Sequence, residues 1–234
     1  MYKRLISTIA AASVAGCVTV DYPNLRPGFF KGSVIVLWIG EGDSSGDGKF
    51  LFIPDPRDRL IFYRPDKTQP GAEIRPSMMY TDGGSIPKIA QVFNGLSPWG
   101  YAPAYMIHDW LFIAHHCLVD GASSPNIDVL QSVSFEASAE ILGEAIQALV
   151  AQHQVKQRDI AAGAITSAVG SGIAKDLWDK RGACEENRIR PEHIAAAESA
   201  VPGSAQTVDS SLSPKGRIGT FVRAPAKFVA RVKF

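Results

Sequence analysis

Apolar residues follow two periods along this chain. Between Ser33 and Tyr80 they come as short β-branched and aromatic runs, and beyond Ser85 they recur at helical spacing. The first pattern predicts strands at Ser33–Ile39, Lys49–Ile53, Arg59–Tyr63 and Glu73–Tyr80, with a turn at Glu41–Gly48. Pro54, Pro56, Pro65, Pro70 and Pro76 keep these strands short, because proline has no N–H for a ladder. The second pattern predicts helices at Ala102–Val119, Ser132–Gln154, Arg158–Lys180 and Pro191–Ala200. A further short helix is predicted at Ile86–Phe93, with Ser85 as its N-cap and Gly95 just past its end. Strands followed by helices predict an α+β fold. A small, mostly antiparallel sheet from the N-terminal half packs on three or four helices from the C-terminal half. A single domain is expected over residues 33–200, preceded by a Pro- and Gly-bearing tether at 17–32. Residues 201–234 are rich in Ser, Pro, Gly and Ala and read as a flexible tail.

The chain start changes this picture. Met1–Arg4 is short and basic, Leu5–Val14 is apolar but too short to span a bilayer, and Val14-Ala15-Gly16-Cys17 places small residues before a thiol. This resembles the lipobox of bacterial lipoproteins, in which the signal peptide (here 1–16) is cut off and the cysteine (here Cys17) is acylated. A plain secretory peptide with a chance cysteine is the alternative. The resemblance implies a stable lipid anchor, since more than two acyl chains hold a protein on a membrane. Val18 stands where an inner-membrane retention signal would have Asp, so the outer membrane, facing the periplasm, is the expected destination.

The composition is that of a globular protein, 46% hydrophobic and 20% charged. Loss of Lys3 and Arg4 with the leader leaves 22 basic and 23 acidic residues. That balance argues against a nucleic-acid binder, which would be strongly basic. No apolar run reaches the roughly 18 residues of a membrane-spanning helix. Charge is uneven, however. The tail carries Lys215, Arg217, Arg223, Lys227, Arg231 and Lys233 with Phe221, Phe228 and Phe234, and no acid after Asp209. It reads either as a contact for anionic lipid or as a solvated tail. Cys117 and Cys184 are either one disulfide or two buried thiols.

Candidate chemistry gathers on the segment Ala102–Val119. At about 100° per residue, Tyr105, His108, Asp109, Phe112, His115 and His116 share one arc of about 120°, and the rest of the circle is apolar. An ordinary polar face would carry Lys, Glu, Arg and Gln. Tyr, His, Asp and Phe instead suit the wall of a cleft. His108 is the candidate general base for a water molecule. Asp109 is the candidate ligand for a substrate group or a divalent cation, the only cofactor this pattern suggests. Adjacent helical residues diverge, so Asp109 is poorly placed to orient His108. Glu136, Glu140 and Glu144 form a stripe that a nearby cation would relieve, and Glu140 is the choice to face His108. The plainer reading of that stripe is a solvated face, since exposed Glu is commonplace on helices. Asp82-Gly83-Gly84-Ser85 is a turn into a helix; Asp82 and Ser85 either shape it alone or frame an anion site. Two weaker patterns exist. Asp43–Gly48 starts like a calcium loop but has Pro54 at the twelfth position. His108, His115, His116 and Cys117 fit no zinc spacing.

Asp82-Gly83-Gly84-Ser85-Ile86-Pro87 followed by His108-Asp109-Trp110-Leu111-Phe112 resembles the domain-of-unknown-function 1353 family, which is bacterial and often phage-borne. Ala139-Glu140 and Val169-Gly170-Ser171-Gly172 through Trp178 resemble its later motifs, so the likeness spans about residues 30–180. Phe112 stands where Tyr is usual and Glu140 where Asp is common. His108-Asp109 is also similar to the H-D-x-x-Y helix of secreted phospholipases A2, where the His activates water and the Asp binds calcium. Two functions are therefore expected in competition. One is a lipid-anchored hydrolase of an envelope substrate, a lipid ester or a peptidoglycan-type bond, using His108 and Asp109 with Tyr105, Asp82, Ser85 and Glu140 in support. The other is a non-catalytic lipoprotein that binds a protein partner or an anionic surface.

Overall fold

The computed structural model describes residues 20–40, 49–81, 101–156, 170–215 and 222–234. It is an α+β fold with two small antiparallel sheets. The first joins β1 (Phe29–Lys31), β4 (Ile61–Tyr63) and β5 (Glu73–Ile74) in the order β1-β4-β5. The second joins β2 (Ser33–Gly40), β3 (Lys49–Pro54), β6 (Met79–Thr81) and β7 (Lys227–Lys233) in the order β6-β3-β2-β7. The helices are α1 (Ala102–Val119), α2 (Pro125–Asp128), α3 (Phe135–Ala151), α4 (Gly172–Trp178), α5 (Ala183–Glu186) and α6 (Pro191–Ala200).

β2 explains the layering. Its alternate side chains Val34 and Val36 enter a core shared with Trp110 of α1 and Leu142 and Leu149 of α3. Ile35, Leu37 and Ile39 enter a second core with Ile189, Ala197 of α6 and Val201. The strand is apolar on both faces because both faces are covered, so its sequence is a continuous run rather than an alternation. At Gly32, φ is +89°, and a Cβ there would lie 2.1 Å from the Arg59 carbonyl oxygen. Only glycine lets the chain pass from β1 in one sheet to β2 in the other.

Several expectations are revised. The expected single strand Glu73–Tyr80 is two, β5 in one sheet and β6 in the other, with Pro76 between them. The tether is folded from Val20 onward. Tyr22 is buried, its carbonyl accepts from Gln147 Nε2 at 3.1 Å, and Gly28 N–H donates to the Glu144 carbonyl at 3.1 Å. The flexible tail is likewise folded where it is described. Leu212 is fully buried, and its carbonyl accepts from Ile189 N–H at 3.0 Å. β7 pairs along β2 from Ser33↔Lys233 to Trp38↔Lys227. Phe234 stacks on Phe30 with ring centroids 4.7 Å apart, so the chain end plugs the first core instead of trailing into solvent. The helix expected at Ser132–Gln154 is α3, which starts where Ser134 accepts from Ala137 N–H at 3.1 Å. Of Arg158–Lys180, the described helix is α4, capped by Ser171, and residues 157–169 lie outside the described set. So do Cys17, the calcium-like start Asp43–Gly48, and the helix Ile86–Phe93.

Cys117 at the end of α1 and Cys184 in α5 are disulfide-bonded across 67 positions of sequence. Closing a loop of that length removes unfolded-chain entropy worth about 4 kcal/mol. Asp120 staples the same junction, its carboxylate accepting from Gly182 N–H at 2.8 Å and Cys184 N–H at 3.0 Å. Among the described residues no helix is long and apolar enough to cross a membrane.

Candidate functional site

α1 begins with Pro103 in its first turn, where a missing N–H costs nothing. It is buried almost all round, as a helix is that carries apolar residues on most of its circumference. This corrects the expected cleft wall. The polar arc exists, but most of it is packed. Its C-terminal half is covered by α4 and the start of α3. His115 stacks on Trp178 at 4.0 Å between ring centroids, and Phe112 meets Trp178 edge-on at 4.9 Å and Phe135 at 6.5 Å. His116 Nε2–H donates to the Leu177 carbonyl at 2.8 Å, and Cys117 is in the disulfide. The four residues weighed as a zinc set are thus tied to separate partners or left singly. Among the described residues no three His, Cys, Asp or Glu side chains gather closely enough to hold a metal ion.

The N-terminal half of the arc is different. Tyr105, His108 and Asp109 share one turn; among the described residues its ring neighbours are Phe112, 4.8 Å from His108, and Tyr101, 6.3 Å from Tyr105 between centroids. His108 is 9% exposed, and its Nε2 has no hydrogen-bond partner among the described residues; the Tyr105 hydroxyl is in the same position. His108 Nδ1 lies 4.0 Å from Asp109 Oδ1, too far for a hydrogen bond, and the Asp109 side chain is 20% exposed. Burial pulls the His108 imidazole down to a pKa of about 4, so it is neutral at pH 7. Burial first, and then the neighbouring Tyr101 and Asp109, holds the Tyr105 hydroxyl well above the ordinary phenol range. The arrangement is a neutral imidazole and a neutral phenol beside a partly solvated carboxylate. It can accept a proton from, or hydrogen-bond, a small polar ligand.

Glu140 does not support this turn. It pairs with Arg64, 3.2 Å from the guanidinium, while Glu144 accepts from Arg64 Nε at 2.8 Å and Nη2 at 2.9 Å. Arg64 also donates to the Pro70 carbonyl at 3.0 Å and is almost fully buried. Burial opposes its charge, but the Glu144 hydrogen bond and the two carboxylates outweigh that and raise its pKa. Glu144 moves up as well, because its own burial outweighs the help from Arg64. Glu136 is exposed. The glutamate stripe does meet a cation, but that cation comes from β4's C-terminal edge and ties the first sheet to α3.

Asp82 and Ser85 lie outside the described residues; β6 ends at Thr81, immediately before Asp82 in sequence. Sequence reasoning missed Arg64, for which a lone arginine after an apolar run is the only signal. It also missed Trp178 as the cover of the histidines. A separate pair lies at the second core, where Tyr80 Oη is 2.7 Å from His193 Nδ1 and accepts from Arg190 N–H at 2.9 Å. Comparison with known proteins finds no matching family, curated protein or solved structure.

Proposed function

We propose that this chain is an exported bacterial lipoprotein, anchored through acylated Cys17 to the outer membrane and facing the periplasm. The turn Tyr105–Asp109 is its hydrolytic site, acting on an envelope substrate such as a lipid ester or a peptidoglycan-type bond. The observation that carries the catalytic half is His108 Nε2, buried and without a hydrogen-bond partner among the described residues. Folded proteins pair their buried polar atoms, and a fully satisfied network would have argued for a purely structural histidine. An unpaired nitrogen here leaves a position for a water or a substrate group. In the proposed step, a water oxygen attacks the scissile carbonyl while His108 Nε2 takes its proton. The imidazolium, 4.0 Å from the Asp109 carboxylate, then returns the proton to the leaving oxygen or nitrogen. The anchor rests on the basic, apolar and small-residue sequence of Met1–Cys17. The Cys117–Cys184 disulfide supports an oxidising compartment, where such bonds persist. Membership of the domain-of-unknown-function 1353 family is part of the same proposal and rests on the two motifs around Asp82 and His108.

The test is turnover of ester, phospholipid and peptidoglycan substrates, with and without calcium or zinc, by wild type and His108→Gln. Turnover by wild type that is lost in a folded His108→Gln protein supports the hydrolase. A second reading, a non-catalytic lipoprotein binding a protein partner or an anionic surface, is favoured by one observation. Glu140, the candidate to orient His108, is held by Arg64 instead. Absence of turnover on every substrate selects that reading.

A further inference from the structure

Three peptide units separate Cys17 from Val20, the first described residue. Tyr22 N–H donates to the Val20 carbonyl at 2.9 Å, Tyr22 is 7% exposed, and Gln147 holds its carbonyl. Fully extended, that leash spans roughly 10 Å. A chain of this length folds to a radius of gyration of about 17 Å. A leash shorter than the radius cannot let the body tumble freely above the bilayer. The face on which Val20 emerges is the face that meets the headgroups.

That face is defined by contacts. The chain runs from Tyr22 across α3 to β1, where Gln152 accepts from Phe30 N–H at 2.8 Å and donates to its carbonyl at 3.0 Å. The C-terminus joins it, with Phe234 N–H donating to the Gly32 carbonyl at 2.9 Å. Arg26, Lys31, Lys156 and Lys233 are exposed around this junction. Phe29 stands among them with 54% of its surface in water. The acids nearby include Asp21, bonded to Asn24 at 2.8 Å, Asp58, which accepts from Ser33 Oγ at 2.9 Å, Glu73, opposite Tyr63 in the first sheet, and Asp66, Glu140 and Glu144, which lie by Arg26 or Arg64. A cationic rim around an exposed aromatic ring is the surface that anionic phospholipid attracts, with the ring at headgroup depth.

We propose that this face, formed by residues 20–31, the end of α3 and the end of β7, docks on anionic phospholipid and fixes the orientation of the domain. The proposal rests on the anchor at Cys17. The basic chain end thus acts as part of a folded docking face.

The full-length protein is purified from membranes, and acylation of Cys17 is read by intact mass. It is then placed in phosphatidylcholine vesicles with or without phosphatidylglycerol. A fluorophore at Phe29→Cys or Leu177→Cys reports quenching by nitroxide-headgroup lipid. Quenching is expected to be several-fold stronger at position 29 than at 177. With a long Gly-Ser spacer inserted after Val18, docking should persist only on anionic vesicles. Arg26→Glu, Lys31→Glu and Lys233→Glu should each weaken it about fivefold or more. Stronger quenching at 177, or a spacer variant indifferent to lipid charge, overturns the docking face with the anchor intact. A missing acyl group on Cys17 removes the anchor itself, and the docking with it.

Discussion

The buried imidazole of His108 makes this fold sensitive to mild acid, by an amount the structure sets. Folded, His108 binds a proton only near a pKa of about 4, against 6.5 for an ordinary histidine. Between those values the unfolded chain takes up a proton that the folded chain refuses. The contribution is intact above pH 6.5 and is lost as pH falls toward 4. The full shift is worth about 3 kcal/mol, a large part of the stability of an ordinary domain. Urea unfolding of wild type and His108→Gln across this pH range isolates the effect, because every other titrating group is common to both. The glutamine adds a constant offset but no titration. The wild-type curve should fall below the variant's progressively with acid, by about 3 kcal/mol at the end of the range. Parallel curves would show that the imidazole is solvated, and the assignment of Nε2 as a buried unpaired atom would be wrong.

The remaining predictions concern the framework. Arg64→Met should cost about 3–5 kcal/mol in urea unfolding, because Glu144 is left buried without its cation, and adding Glu144→Leu should recover most of the loss. Glu140→Gln should change stability by less than about 1 kcal/mol, since that carboxylate is 40% exposed. Opening the Cys117–Cys184 bond with reductant should lower stability by about 4 kcal/mol, read as a shift in the urea midpoint. Truncating Phe234 should cost about 1 kcal/mol through the lost stack on Phe30, and deleting 222–234 should sharply lower the yield of folded protein. A dispensable tail would leave both measurements unchanged.

How much of this was legible in the sequence depends on which force shaped each part. Ala102–Val119 and Pro191–Ala200 match their helices to the residue, because each carries a proline in its first turn that marks the start. β2 was legible as a β-branched run; that both its faces are buried was not, because the cover comes from helices at distant positions. β7 was obscured by composition. Lys227, Arg231 and Lys233 alternate with Phe228, Ala230 and Val232, a period of two that the basic charge count concealed. The helical arc of α1 was predicted in its angles but not in its environment. Spacing fixes which side chains share a face. Whether Trp178 lies over that face depends on tertiary packing. The glutamate stripe announced the need for a cation, and only the fold shows that Arg64 meets it.

β2 sits between β3, its neighbour in sequence, and β7, drawn from the last eight residues of the chain. The central strand therefore acquires its second neighbour only after nearly two hundred further residues have been made. A polypeptide that cannot complete its sheet early remains extended for longer, as a non-local closure is slow to form. The late arrival of β7 thus leaves one edge of β2 open while most of the chain is being made.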